Sequence, residues 1–457
     1  MSSGRSPAEE VLSGKSKVAV YGVGYVGTAL IAAYLRRGLR VVGVDVNEER
    51  LRSVAEGRFK CYESEVCEAI AEGLSSGRLE LTSDGRAAST ESAVKVVTVP
   101  VYFHRIGRRV DFSAIVSAAT DIGSGMREGD LVIVESSAPP GTTEGIVRRV
   151  LENVSGLRAE KDFYLAYSPE RIYVGRALKD IEVNYPKVIG GVGPKSLEEA
   201  SKFYKSIARK GVIKMSSAKA AEFEKLAEGV YRDVNIALAN ELALAAQRLG
   251  VDYYEVRRAA NSQPYCNLHL PGPGVGGYCI PLYPYFLMMP ALREGFVMEL
   301  TRLARRINEG MPSEVVSQVV ELALSKGLKP ERSKVAVLGD AFRGNIDDVR
   351  LSPTHDVVAL LITNGFRELV VHDPLVENDD YLERLGIALT KDLGEALSGA
   401  DIAVVCVRHD AYRALRTSDM VRLSGNEGLI VYDAVGVVRD DAGLRRKGLM
   451  AVLGSGT

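Results

Sequence analysis

KVAVYGVGYVGTALIAAYLRRGLRVVGVD, residues 17–45, decides the fold: an apolar run, a glycine-rich turn, a helical stretch, and a second apolar run closed by aspartate. It reads as one strand, helix, strand unit. Gly22, Gly24 and Gly27 follow the first run and open the helix, and Asp45 ends the second run. The first two glycines let backbone amides reach a pyrophosphate at the helix N-terminus, and the third permits close packing. An acid in the place of Asp45 accepts hydrogen bonds from a ribose diol and repels a 2′-phosphate, so the expected cofactor is NAD rather than NADP.

Outward from this unit, apolar runs recur at 94–99, 131–135, 162–167 and 187–190, with helical segments such as 113–122 between them. That alternation predicts a parallel, doubly wound sheet. Residues 216–249 keep apolar positions at three and four spacing without a proline, which predicts one long helix ending near Gly250. A second helical stretch, 292–326, is expected to break near Gly310 and Pro312. The strand and turn rhythm restarts at KVAVLGDAFRGN, 334–345, and runs to 435. The expected fold class is therefore α/β, with two Rossmann-like doubly wound domains joined by a long central helix. The expected divisions are a disordered leader at 1–16, an NAD-binding domain at 17–215, a central helical dimerisation and catalytic region at 216–312, and a sugar-nucleotide domain at 313–457.

Length and charge narrow the function classes. A chain of 457 residues exceeds the size at which one core stops growing. Its 58 basic against 59 acidic side chains offer no global field for nucleic acid or an anionic membrane. The segment MSSGRSPAEEVLSGKSK is polar and lacks the apolar run of a signal peptide, and no apolar stretch of about 20 residues follows, so a soluble protein is expected. Five cysteines at spacings that fit no zinc pattern, in a chain too large to need disulfide staples, point to a reducing cytoplasm.

Four further segments carry polar chemistry. ESSAPPGTTEG, 135–145, leaves a strand for a proline-stiffened loop in which Ser137, Thr142 and Thr143 either cap the next helix or hydrogen-bond the cofactor. In YSPER, 167–171, Glu170 is placed to activate water and Arg171 to hold a phosphate or sugar carboxylate, or the two form an ordinary surface ion pair. On the long helix Lys225 and Arg232 lie seven apart and share a face, either the solvated side or one turned to a reacting centre. In PGPGVGGYCIP, 271–281, Cys279 stands in a stiff, glycine-shaped loop, as a buried structural thiol or as a nucleophile presented to a ligand.

Taken in order, GVGYVG, SSAPPGTT, SPER with GRAL, KLAEGVYRDVNIALANE, PGPGVGGYC and NIDDVRLSP resemble the UDP-glucose/GDP-mannose dehydrogenase family over nearly the whole chain. The wording looks most like its branch acting on UDP-N-acetyl-mannosamine or UDP-N-acetyl-glucosamine. The resemblance implies NAD-dependent, four-electron oxidation of a sugar C6 alcohol to a uronate through a thiohemiacetal and a thioester on Cys279. It implies Glu170 assisting water and Lys225 stabilising the oxyanion. Tyr25, Val26, Pro100 and Ser137 join the glycines and Asp45 around the cofactor. Arg171, Arg232, Asn267, Gly276, Gly277 and Arg350 face a UDP-sugar, and the chain is expected to be a cytoplasmic homodimer engaged in polysaccharide biosynthesis.

The chain departs from the family pattern at named positions. Gly229 stands where Asn is usual, Tyr283 where Asp is usual, and Tyr278 where the N-acetylhexosamine branch commonly has His; Arg343, Tyr265 and Val101 replace Lys, Arg and Thr. Losing a carboxylate near the cysteine bears on thioester hydrolysis, where acid or base assistance is worth about a hundredfold to ten-thousandfold. Three alternatives stand beside the leading reading: a catalytically weakened paralogue that binds NAD and nucleotide sugar as a partner or regulator, a UDP-glucose 6-dehydrogenase, and a two-electron hydroxy-acid dehydrogenase with no need of Cys279.

Overall fold

The computed structural model describes residues 6–104 and 109–456. The chain forms two compact units, the first reaching Ala227 and the second starting at Glu228. Helix Ala218–Arg248 begins in the first unit and ends in the second, as the unbroken periodicity of this stretch predicts.

The first unit is built on an eight-stranded sheet. Its order from one edge is Val212–Met215, Lys187–Gly191, Tyr164–Tyr167, Leu131–Val134, Ser92–Val97, Lys17–Tyr21, Val41–Val44, Leu79–Thr82. The central strands Lys17–Tyr21, Ser92–Val97 and Leu131–Val134 are almost wholly buried, which suits near-continuous apolar runs covered on both faces. Helix Tyr25–Arg36 is buried at every position from Gly27 to Leu35, because GTALIAAYL is apolar all round rather than along one stripe.

Four expectations need correction. Residues 1–5 of the leader expected over 1–16 lie outside the described residues, but residues 7–12 form helix Pro7–Leu12. Ser6 caps it and bonds Glu199, and Pro7, Ala8 and Val11 are buried, so tertiary packing overrides a polar-looking segment. The sheet is not wholly parallel: Lys187–Gly191 runs antiparallel to Tyr164–Tyr167. A parallel crossover needs a helix packed back across the sheet, and residues 168–186 hold only short helical turns. The break expected at Gly310 and Pro312 falls earlier, between helices Tyr283–Arg293 and Glu299–Ser325. Pro312 lies inside the second of these, where it, Met311, Val315 and Val316 are buried, and that packing carries the helix through the boundary expected at 312/313. Finally, Cys61 and Cys67 form a disulfide, where no disulfide was expected. The chain turns into helix Ser64–Ser75 between them and brings their Cα atoms to 6.1 Å, a proximity that six-residue spacing alone does not reveal.

The second unit holds a wholly parallel six-stranded sheet, in the order Ala388–Thr390, Glu368–His372, Lys334–Leu338, Ile402–Val405, Ile430–Asp433, Met450–Val452. Counted within the unit this is 3-2-1-4-5-6, the Rossmann order. No helix among the described residues is long and apolar enough to cross a membrane.

Candidate functional site

The glycine turn of the first unit is shaped to hold a dinucleotide. Gly22 adopts φ 102°, a conformation natural only to glycine, and its N–H donates to Val44 O at 2.7 Å. A Cβ at Gly27 would lie 1.8 Å from Gly22 O, so helix and strand approach closer than any other residue allows. Gly24 is the N-cap of helix Tyr25–Arg36 and offers no side chain to the orphan amides of the first turn. A Cβ there would meet only Arg50 Nη1, at 3.8 Å, so the cradle has room for a phosphate.

Asp45 sits at the end of the second strand with its side chain 8% exposed, accepting from Val23 N and Asn47 N, each at 2.9 Å. Arg50 approaches it at 3.5 Å but is half exposed. Val26 is half-buried in the first turn of the helix, Pro100 is exposed beyond strand Ser92–Val97, and Ser137 is half-buried beyond strand Leu131–Val134. The neighbouring Ser136 turns inward to donate to Val99 O at 2.6 Å. Thr142 donates to Pro139 O, which makes it a loop brace rather than a ligand group.

Tyr25 has a structural task that spacing did not reveal. Its hydroxyl meets Glu63 Oε1 at 3.2 Å and accepts from Gly175 N at 3.3 Å, joining the glycine turn to the segment after YSPER. Glu63 in turn accepts from Ala177 N and Leu178 N at 2.6 and 3.1 Å.

Glu170, Arg171 and Lys225 are brought together in the first unit. Lys225 Nζ donates to the Glu170 carbonyl at 2.6 Å, which fixes the ammonium beside the YSPER loop. The Glu170 carboxylate accepts from Arg171 N at 2.8 Å and pairs with Lys187 at 2.5 Å. Lys187 also pairs with the fully buried Glu135 at 2.8 Å, and Tyr204 bonds Glu135 from the other side. Burial raises the Glu135 carboxyl to about 7 despite the Lys187 charge. Arg171 reaches Pro186 O and lies 3.6 Å from Glu224, so it is anchored rather than loose at the surface. Glu135 and Lys187 were missed in the sequence; the available signal was a charged residue at the end of one apolar strand and at the start of another.

The second unit assembles the cysteine loop on the segment after its first strand. Gly277, at φ 80°, donates to Arg350 O at 2.8 Å, and a Cβ at Gly276 would lie 2.6 Å from both Leu351 O and Phe342 Cβ. The glycines of PGPGVGG are therefore needed because the loop lies directly on residues 342–353. Cys279 is exposed, which removes the buried-thiol reading, and its carbonyl accepts from Leu282 N and Tyr283 N at the start of helix Tyr283–Arg293. The Arg350 guanidinium lies 4.8 Å from the centre of the Tyr278 ring and is gripped by both Asp348 oxygens. Asn267 and Arg232 are exposed.

Gly229 and Tyr283, two separate departures in the sequence, are one packing unit. A Cβ at 229 would stand 2.4 Å from Tyr283 Cδ2, and Tyr283 is 6% exposed and stacked near Phe286. The tyrosine ring fills the space that the missing side chain vacates.

Comparison with known proteins agrees over most of the chain. Models of the UDP-glucose/GDP-mannose dehydrogenase family match its NAD binding domain at residues 16–208, its central domain at 219–310 and its UDP binding domain at 336–440. A UDP-N-acetyl-D-mannosamine dehydrogenase of Pyrococcus horikoshii is 38% identical over 87% of this chain and 91% of its own. The solved UDP-D-ManNAc dehydrogenase structure from that organism superposes with TM-score 0.87 at 33% identity, covering 96% and 99% of the two chains. An NDP-N-acetyl-D-galactosaminuronic acid dehydrogenase from Methanosarcina mazei superposes with TM-score 0.84 at 30% identity, covering 99% of both. With its NAD cradle, its UDP binding domain and these matches, the chain belongs to the UDP-glucose/GDP-mannose dehydrogenase family.

Proposed function

We propose that this protein oxidises the C6 alcohol of a UDP-N-acetylhexosamine to the carboxylate through covalent intermediates on Cys279. The observation that carries the reading is an exposed cysteine on a glycine-built loop that lies directly on the Arg350 segment of the UDP binding domain. NAD supplies the acceptor for the two hydrides that leave C6 per sugar. At the aldehyde level the Cys279 thiol adds to C6, its proton passing to the carbonyl oxygen, and the adduct is a thiohemiacetal. Loss of the second hydride and the hydroxyl proton leaves a thioester, and water cleaves it to the carboxylate and the free thiol. In this reading Lys225 neutralises the oxyanion and Glu170 assists the water. Arg171, Arg232, Asn267, Gly276, Gly277 and Arg350 face the sugar nucleotide, and Tyr25, Val26, Pro100 and Ser137 line the cofactor. The N-acetyl specificity rests on the names of the relatives.

The test is stoichiometry on a panel of UDP-hexoses. Two NADH and one uronate per sugar, with uronate lost in Cys279→Ala, are expected. One NADH with free aldehyde, or unchanged turnover in Cys279→Ser, overturns the reading.

Tyr283 packed on Gly229 favours a second reading, a protein slow to release its product. It predicts a burst of NADH followed by a slow phase limited by thioester hydrolysis. The double variant Gly229→Asn with Tyr283→Asp speeds that phase, whereas Gly229→Asn alone clashes with the ring and loses stability.

Homodimerisation is part of the proposal. Tyr231, Leu238, Leu242 and Leu249 are exposed at positions that fall within about 20° of one line along helix Ala218–Arg248 and the residue after it. Leu238→Glu with Leu242→Glu is expected to halve the mass seen in sedimentation; an unchanged mass removes this interface. The proposed compartment is the cytoplasm, where NAD and sugar nucleotides are found.

A further inference from the structure

The loops at the carboxyl end of the second sheet gather Asp340, His355 and Asp379, three side chains that neither the cofactor nor the cysteine chemistry uses. Asp340 follows strand Lys334–Leu338, His355 lies in the first turn of helix Pro353–Thr363, and Asp379 caps helix Asp380–Leu385. One ligand atom from each lies within 4.8 Å of the others. His355 Nε2 is 2.6 Å from Asp379 Oδ2 and 3.5 Å from Asp340 Oδ1. Asp379 spends its other oxygen on Tyr381 N at 2.7 Å, so Oδ2 is the one turned toward the histidine. The Tyr381 ring stacks on the imidazole, centroids 4.4 Å apart and planes 16° from parallel, and fixes the ring's direction.

Asp340 is the anomaly. It is 0% exposed, and neither carboxylate oxygen has a hydrogen-bond partner among the described residues. His355 Nε2 stands at hydrogen-bond distance from Asp379, while Asp340 faces the cluster with two oxygens that accept no hydrogen bond. A buried carboxylate without hydrogen bonds costs several kcal/mol by general measure, and such groups are stabilised by close pairing or by a metal.

We infer that Asp340, His355 and Asp379 form a binding site for one divalent transition-metal ion, Zn²⁺ by donor type. Two carboxylate oxygens and one imidazole nitrogen are a borderline donor set that suits Zn²⁺, Mn²⁺ or Co²⁺ and offers nothing soft enough for Cu(I). The two carboxylates balance the charge of the ion. Tetrahedral coordination at about 2.0–2.1 Å sets ligand atoms about 3.3 Å apart, close to the spacing that Nε2 already keeps from Asp340. Three protein ligands leave a fourth position for water. The ion ties the turn after the first strand, the start of the following helix and the loop after the second strand into one clamp beside residues 342–353.

The full chain, stripped with chelator and dialysed, is titrated with Zn²⁺ by calorimetry and with Co²⁺ by visible absorption. Expected are one Zn²⁺ per chain, a melting temperature raised by Zn²⁺, and a Co²⁺ spectrum without thiolate charge transfer. Asp340→Asn and His355→Gln each weaken Zn²⁺ binding at least a hundredfold and abolish the thermal shift; if the first fails to fold, the second, on a partly exposed side chain, decides alone. Unchanged Zn²⁺ affinity in His355→Gln, no Zn²⁺ uptake by the wild type, or a Co²⁺ spectrum dominated by thiolate bands overturns the site.

Discussion

In the first sheet Gly22 follows the first strand at φ 102° and donates to the end of the second strand at 2.7 Å. In the second sheet Gly339 does the same, at the same φ and the same distance. An aspartate closes the second strand in each. There the likeness ends. Beyond Gly22 two more glycines bring the helix in at Tyr25, and Asp45 keeps its carboxylate at the rim with two backbone amides. Beyond Gly339 the chain wanders through residues 340–352 before helix Pro353–Thr363. Asp373 is fully buried there by the amides of Asp340, Ala341, Leu375 and Val376 and by His409. Burial alone would raise the Asp373 carboxyl, but His409 and those amides hold it at about 2. One turn geometry thus serves two ends: with small residues behind it, it receives a dinucleotide; with its acid consumed internally, it becomes scaffold.

The sharpest way to break this comparison is to fill the turns. Gly27→Ala puts a methyl 1.8 Å from Gly22 O and is expected to cost about 3 kcal/mol or more, with NADH binding lost in fluorescence titration. Gly339→Ala, whose Cβ meets Val407 at 2.4 Å, should cost a similar amount while folded protein still binds NADH with unchanged Kd. Equal loss of NADH affinity in both would erase the distinction.

The paired acids give the next effect. Asp373→Asn should lower stability by about 2 kcal/mol, because an amide NH2 then faces backbone N–H donors or His409 Nε2 in place of an accepting carboxylate oxygen, and leave NADH affinity alone. Asp45→Asn should do the reverse, weakening NADH about tenfold, about 1.4 kcal/mol, with little change in melting temperature. A large melting shift in Asp45→Asn would show that it too is scaffold.

A further effect separates the units by pH. Glu222, buried in the first unit, accepts from Thr143 N at 2.8 Å and from Gly141 N, and burial raises its carboxyl to about 7. The folded state therefore holds a proton that the unfolded chain releases near 4.5, so this contribution is present below about pH 4.5 and is lost as pH rises to about 7. The loss is on the order of 3 kcal/mol. Glu222→Gln should flatten the fall in melting temperature of the first unit over that window; an unchanged slope would place the titration elsewhere.

Much of this was legible in residues 17–45, because a strand, a glycine turn and a helix are adjacent in sequence and governed by local backbone freedom. The second sheet was legible in the same way. The antiparallel strand Lys187–Gly191, the unbroken helix across Pro312, the packed helix Pro7–Leu12 and the Cys61–Cys67 disulfide were not. Each depends on partners distant in the chain or on a local turn that residue types do not specify.

By itself the sequence determined that two Rossmann-like units flank a long helix, that the first binds NAD, and that Cys279 is the residue to explain. Only the tertiary structure decided that Tyr283 and Gly229 compensate one another, that Glu170 is held by Lys187, and that Asp340 is left facing His355 and Asp379. The reason is physical. Periodicity and glycine placement act through neighbours along the backbone, whereas the burial of a carboxylate and the fit of a ring over a missing side chain are set by residues tens of positions away.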